Sequence, residues 1–136
     1  MQKEMNKKIL LVEDETLIAM HEQMILEDYG YSVMVVSSGE SAIESVQNTP
    51  DIDLILMDIN LGDGIDGTEA ARQILAEHDI PLVFLSSHTE REVVEKTEGI
   101  TSYGYIVKNS GETVLIASIK MAFRLFSARM KEKEKE

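Results

Sequence analysis

Four short apolar runs in this sequence each stop at a residue able to carry charge or hold a proton. Residues 9–12 (Ile-Leu-Leu-Val) run into Glu13-Asp14-Glu15, and residues 54–57 (Leu-Ile-Leu-Met) run into Asp58. Residues 82–85 (Leu-Val-Phe-Leu) end at Ser86-Ser87-His88, and residues 105–107 (Tyr-Ile-Val) end at Lys108. Clustered carboxylates repel one another, and their ionised forms need a compensating cation. An all-oxygen set without His or Cys suits a hard ion, so Mg2+ or Mn2+ rather than zinc. Lys108 and the Ser86 hydroxyl could hold phosphoryl oxygens by charge and hydrogen bond. The chemistry these residues spell is a metal-assisted phosphoryl-acceptor pocket with Asp58 as the nucleophile.

Taken singly, each of these residues is more simply a turn residue, a cap or a surface charge. Together they count for more, provided the fold brings the ends of four strands to one edge. Apolar runs this short, without polar alternation, suit strands buried on both faces of a parallel sheet. Residues 32–36 read as a further strand. Between the strands, Leu17, Ile18, Met24 and Ile25 fall on one face of a helix ended by Gly30. Ser37 and Glu40 have capping-box spacing before a second helix with Ala42, Ile43 and Val46 inward. Pro50 breaks that helix.

The loop 60–67 carries Gly62, Gly64 and Gly67 and lies directly beyond Asp58, and Asp66 and Glu69 open a third helix with Ala70, Ile74 and Leu75 inward. Thr89 and Glu92 start a short polar helix over 89–98. Ser110 starts the last one, with Leu115, Ile119, Ala122 and Phe126 as its packing seam. Strand and helix alternate five times. The expectation is an α/β, flavodoxin-like (βα)5 three-layer sandwich whose parallel five-stranded sheet has the order 2-1-3-4-5. The acidic residues then lie at the carboxyl edge of the central strands, where open α/β sheets place ligands.

Composition narrows the classes. The chain has 136 residues, enough for one domain with a real core. With 25 acids against 13 bases its net charge of −12 argues against a direct nucleic-acid or anionic-membrane surface. The absence of cysteine removes disulfides, thiolate metal sites and cysteine nucleophiles. No apolar run approaches a membrane span and the start is polar, so a cytoplasmic location is expected.

On the pieces Ile-Leu-Leu-Val-Glu-Asp-Glu (9–15), Leu-Ile-Leu-Met-Asp-Ile-Asn-Leu (54–61), Asp-Gly-Thr-Glu-Ala (66–70), Leu-Ser-Ser (85–87) and Gly-Tyr-Ile-Val-Lys (104–108), the sequence resembles the receiver domain of two-component response regulators. The resemblance covers residues 8–127, leaving 128–136 as a charged helix extension or tail. It implies that Asp58 accepts a phosphoryl group from a phosphohistidine on a sensor histidine kinase or phosphotransfer protein. It also implies that Asp14 and Asp58 bind Mg2+ directly, Glu13 through water and Asn60 through its main-chain carbonyl. Lys108 and Ser86 match the positions that contact the phosphoryl group, and Tyr105 the aromatic that turns inward when the hydroxyl residue moves. The output would be a changed face formed by the helix over 89–98, the fifth strand and the last helix, which is also a possible homodimer surface.

The sequence departs from that family in several places. Ser86 stands where threonine is commoner, and Ser87 is larger than the small residue often found there. Loop 60–67 is one residue longer, with Gly62 where proline is frequent. Asn109 replaces a proline usually preceded by a cis bond, so either the cis bond is retained at a cost of about 3–4 kcal/mol or the loop differs. Asn60, Ser87 and His88 flank the pocket as candidates for tuning the phosphoryl lifetime.

The other notable residues read more plainly. His21 is placed on the inner side of the first helix, His78 at the end of the third, and Tyr29, Tyr31 and Tyr103 at the rim or in packing. The eight methionines are scattered fillers. The run after Phe126 reads first as a frayed, solvated end and second as a continuation of the last helix through Met130.

Three competing functions remain on the same fold. One is an interaction module independent of phosphorylation, against which Asp14, Asp58 and Lys108 speak. Another is an aspartate-nucleophile phosphatase, which wants an acid where Asn60 stands. The third is a flavin carrier, whose phosphate loop would meet the acids after strand one.

Overall fold

The protein is described here by a computed structural model covering residues 6–87, 95 and 97–135. Five strands, β1 (Lys8–Val12), β2 (Ser32–Val36), β3 (Leu54–Asp58), β4 (Leu82–Ser86) and β5 (Tyr105–Val107), form one parallel sheet in the order β2-β1-β3-β4-β5. Among the described residues four helices accompany them: α1 (Thr16–Asp28), α2 (Gly39–Asn48), α3 (Gly67–Glu77) and α4 (Glu112–Glu134). The helix expected over 89–98 lies largely outside the described residues.

The apolar runs become strands because both of their faces are covered. Every residue of β3 and β4 is buried, whereas the edge strands β2 and β5 alternate with exposed positions. Period-two alternation divides the core. Ile9, Leu11, Leu54, Leu56, Val83, Leu85 and Ile106 face α1 and α4; Leu10, Val12, Ile55, Met57, Leu82 and Phe84 face α2 and α3. Because β1 pairs with both β2 and β3, the chain reverses its direction of winding there and opens a crevice at the strands' carboxyl ends.

Local signals mostly set the helix boundaries. Asp66 caps α3 by accepting from Glu69 N, with the inward Ala70 and Ile74 buried beyond it. At α2 the cap is Ser38, whose hydroxyl accepts from Ser41 N, and not Ser37. Glu40 is thereby freed from the expected capping box, and its carboxylate accepts from Ile65 N at 3.1 Å, tying α2 to loop 60–67. The last helix begins at Glu112 behind Gly111 rather than at Ser110, whose N–H closes a turn onto the Val107 carbonyl.

The expected inner face of α1 is rotated. Ala19, Glu22 and Leu26 are buried, while Leu17 and Met24 are exposed and Ile18 and Ile25 half-buried. His21, placed inward by sequence, is exposed. The stripe that packs is the one that fits the sheet beneath it, even though it carries an acid.

Residues 127–134 continue α4 as regular helix. Arg129 Nη1 donates to the Tyr103 hydroxyl at 2.7 Å, Lys133 pairs with Asp79 at 3.1 Å, and Phe126 packs edge-on against Tyr103. Tyr31 is buried and stacks on Phe123, Tyr29 is exposed, and His78 caps α3 at its C-terminus. Among the described residues no helix is long and apolar enough to cross a membrane.

Candidate functional site

Strand register brings the sequence-distant acids together. Val12 lies opposite Met57, so the residues that follow, Glu13 and Asp58, leave neighbouring strands side by side. Ser86 lies opposite Val107, so Lys108 is the next residue out. Glu13, Asp58 and Lys108 continue the alternation of Leu11, Leu56 and Ile106, the residues that face α1 and α4. The three side chains therefore converge on one side of the sheet edge.

Lys108 Nζ sits between the two acids, 2.8 Å from Glu13 Oε1 and 3.1 Å from Asp58 Oδ2. The other Asp58 oxygen accepts from Asn60 N at 3.3 Å, and Glu13 Oε2 accepts from Glu15 N at 3.2 Å. Asp58 and Glu13 are each only 2% exposed. Asp14, next in the chain, is exposed. Carboxylate oxygens of Glu13, Asp14 and Asp58 lie within 4.8 Å of one another, close enough to share a cation.

The electrostatics are those of an acidic pocket short of positive charge. Burial, then the charge of Glu13, pushes the Asp58 carboxyl up to about 7, although Lys108 pulls the other way. Burial works to lower the Lys108 ammonium, but its hydrogen bonds and the charges of Glu13 and Asp58 outweigh this and hold it above its ordinary value. Among the described residues the cluster holds three acids, and Lys108 pairs with two of them. The donor set and its excess charge fit a divalent hard cation.

The loop beyond Asp58 is held close by glycine. A Cβ on Gly67 would collide with the Asp58 carbonyl oxygen, and the Gly67 N–H donates to the Ile59 carbonyl at 2.8 Å. Gly62, at φ 73°, passes beside Asp14 Oδ2.

Ser86 ends β4 fully buried, its carbonyl accepting the Lys108 N–H at 2.7 Å. Ser87 and Asn60 are exposed at the rim, and His88 lies outside the described residues. Tyr105 is 40% exposed at the start of β5. No described peptide bond is cis; Asn109 instead takes a left-handed φ of 68°, which asparagine tolerates and proline cannot adopt. Of the two loop forms that sequence left open, the structure has the altered one.

A model of the response regulator receiver domain matches residues 9–120. The chain belongs to the response regulator receiver family. It is 30% identical over 122 residues to the transcriptional regulatory protein PdtaR of Mycobacterium tuberculosis, covering 88% of this chain and 58% of PdtaR. The chain thus spans little more than half of that curated relative.

The N-terminal domain of a response regulator/sensory box/GGDEF three-domain protein from Carboxydothermus hydrogenoformans superposes with a TM-score of 0.86 at 47% identity, covering 91% of this chain and 99% of that one. The response regulator TrrA of Thermotoga maritima, solved in complex with Mg2+ and BeF, superposes with a TM-score of 0.76 at 26% identity, covering 85% and 98%.

One buried acid was not singled out from sequence. Glu22 of α1 is 8% exposed, and its Oε1 has no hydrogen-bond partner among the described residues. Burial first, then the charge of Glu13, raises its carboxyl to about 7. The signal was present, because Glu22 stands three residues after Ala19 and four before Leu26, inside the buried stripe.

Proposed function

We propose that this receiver domain is a phosphorylation switch of a two-component relay, with Asp58 as the phosphoacceptor. The observation that carries the reading is the Lys108 ammonium bridging buried Glu13 and Asp58 at the carboxyl end of the central strand. An Asp58 oxygen attacks phosphorus, the P–N bond of a donor phosphohistidine breaks, and the leaving imidazole takes a proton from solvent. Mg2+, or Mn2+, held by Asp14 and Asp58, by Glu13 through water and by the Asn60 carbonyl, would supply positive charge to the transferred oxygens. Lys108 and the Ser86 hydroxyl hold the acyl phosphate once it forms. The donor is a sensor histidine kinase or a phosphotransfer protein.

Ser86 moving toward the phosphoryl group leaves space that Tyr105, now half out in solvent, can fill. The equilibrium between the two packings then shifts by the few kcal/mol that the new contacts differ between them. Homodimerisation belongs to the same reading. Val114, Met121 and Leu125 are exposed on α4 at spacings of seven and four, a seam a second copy could cover. Concentration-independent monomer sedimentation, with and without beryllofluoride, would count against it.

The deciding experiment is incubation with acetyl phosphate and Mg2+, read by intact mass, on wild type and Asp58→Ala. One added phosphoryl group in wild type alone supports the reading. Equal incorporation in both would place the phosphoryl group on another residue and overturn Asp58 as acceptor; none in either would leave a donor-selective pocket closed by Ser87 and Asn109, or a phosphorylation-independent interaction module.

A further inference from the structure

Beside Lys108, on the α1 and α4 side of the sheet, α1, Leu85, Leu115 and residues 106–112 line a cavity of about 390 Å³. Its walls are mostly apolar, from Leu17, Ile18, Ile25, Leu85, Ile106 and Leu115. Among its polar lining residues, which include His21, Lys108, Asn109, Ser110 and Glu112, Glu22 stands out: it is more than nine-tenths buried, and its Oε1 finds no partner among the described residues. A buried carboxyl left unsatisfied costs stability that an apolar residue at the same place would not. The cavity volume is in the range that holds small molecules, and a buried carboxylate beside apolar side chains is a group that can fix a ligand's orientation.

We infer that this cavity is a binding site for a small organic cation, a primary ammonium carried on an aliphatic or aromatic body, with Glu22 as the counter-ion. The charges around the cavity favour that sign. Glu112 stands at the mouth with Glu22 within, and the Lys108 ammonium is turned to Glu13 and Asp58 at 2.8 and 3.1 Å, so that Lys108 contributes its stem to the wall. His21, the other basic group lining the cavity, lies on the exposed side of α1. The left-handed Asn109 and the positive φ of Gly111 bend the loop that forms the cavity's far side. The cavity adjoins the phosphoacceptor pocket across Lys108, and Glu22 feels the charges of Glu13, Lys108 and Asp58, but its Oε1 makes no hydrogen bond to them among the described residues.

The test is an amide NMR titration of the whole chain with 2-phenylethylamine and, separately, its neutral isostere 2-phenylethanol. Saturating Mg2+ keeps the acidic pocket covered. The amine should give saturable shifts in α1 near Glu22 and in residues 106–112, with the alcohol at least tenfold weaker. Glu22→Gln should abolish that preference while its spectrum remains dispersed.

Equal affinity of amine and alcohol in wild type would overturn the inference without reliance on any variant. So would shifts centred on Asp14 and residues 60–64, or no saturation. A lysine side chain offers the same ammonium. Tighter binding of Nα-acetyl-lysine amide than of phenylethylamine would assign the cavity to a protein partner and overturn the small-ligand reading.

Discussion

Asp58 and Glu22 are the same functional group under the same burial, and they differ in what surrounds them. Both lie on the α1 and α4 side of the sheet, and both carboxyls are raised to about 7, in each case first by burial and then by the charge of Glu13. Around Asp58 the chain has assembled a lysine, a main-chain donor and two further acids. Glu22 feels the same lysine and acids through space, but its Oε1 has no hydrogen-bond partner among the described residues and apolar side chains stand beside it. A raised pKa therefore marks burial in both places and does not by itself mark the proposed phosphoacceptor. Direct contact separates the two, because Lys108 and the Asn60 N–H hydrogen-bond to Asp58 at 3.1 and 3.3 Å while Glu22 Oε1 has no such donor among the described residues.

The largest test of that contrast removes the convergent charge. Lys108→Ala leaves Glu13 and Asp58 facing each other without their cation, and breaking a buried pair on one side costs about 3–5 kcal/mol. Urea unfolding at pH 8 without metal should show a loss of that order. At pH 5.5, where folded Asp58 holds its proton, the loss should be smaller. A cost under about 1 kcal/mol at pH 8 would mean that the bridge seen in the fold does not hold in solution.

Glu22 should respond in the opposite direction. Its folded carboxyl titrates near 7 against an ordinary 4.5, so the folded state binds the proton more tightly than the unfolded state does. The group's penalty is absent below the unfolded value. It grows as pH rises from about 4.5 to 7, and is complete above that. Glu22→Leu should therefore stabilise the protein by about 2–3 kcal/mol at pH 8 and by little at pH 4, because an apolar side chain replaces a buried, unpartnered charge. A destabilised Leu variant at pH 8 would show that Glu22 finds a partner in solution.

These two acids also show what was legible beforehand. The five strands, their order and the acids at their ends could be read because runs buried on both faces have no competing pattern, and register then carries Glu13, Asp58 and Lys108 to one edge. The face of α1 could not be read the same way. Leu17, Ile18, Met20, Met24 and Ile25 surround the helix, so periodicity has no clear minimum, and the buried stripe contains the acid that pattern reading assigns to solvent.

The continuation of α4 to Glu134 was illegible for another reason. Its Lys-Glu repeat suits a solvated helix or a tail equally, and a contact that holds it, Lys133 to Asp79, joins residues 54 apart. Asn109 was half legible, since its identity signalled a changed loop while the left-handed φ had to be observed.

Magnesium should act on the acidic pocket and not on the cavity. A cation held by Asp14 and Asp58 must displace the proton that folded Asp58 keeps up to about pH 7, so its affinity should rise from pH 6 to pH 8. At a hundredfold excess over its dissociation constant, Mg2+ should add about 2.7 kcal/mol to stability. Asp14→Asn should reduce that gain strongly, and Glu22→Gln should leave most of it. Equal gains in wild type and Asp14→Asn would place the metal elsewhere.

The smallest effect concerns the rim. Asn60 touches Asp58 through its main-chain N–H, a contact every substitution except proline retains, while its side chain stands in solvent beside the exposed Ser87. Asn60→Ala therefore isolates the side chain and leaves the acceptor's hydrogen bond in place. If the rim governs how water reaches the acyl phosphate, Asn60→Ala and Ser87→Ala should each change the dephosphorylation rate by up to about tenfold, equivalent to about 1.4 kcal/mol of barrier. Phosphoryl uptake from acetyl phosphate should change less. The decay of phosphorylated protein followed by intact mass separates the two rates. Unchanged decay in both variants would mean that the buried set of Glu13, Asp58 and Lys108 governs lifetime as well as transfer. The contrast between the charged site and its surroundings would then extend to the rim, whose polar residues would have no part in the chemistry.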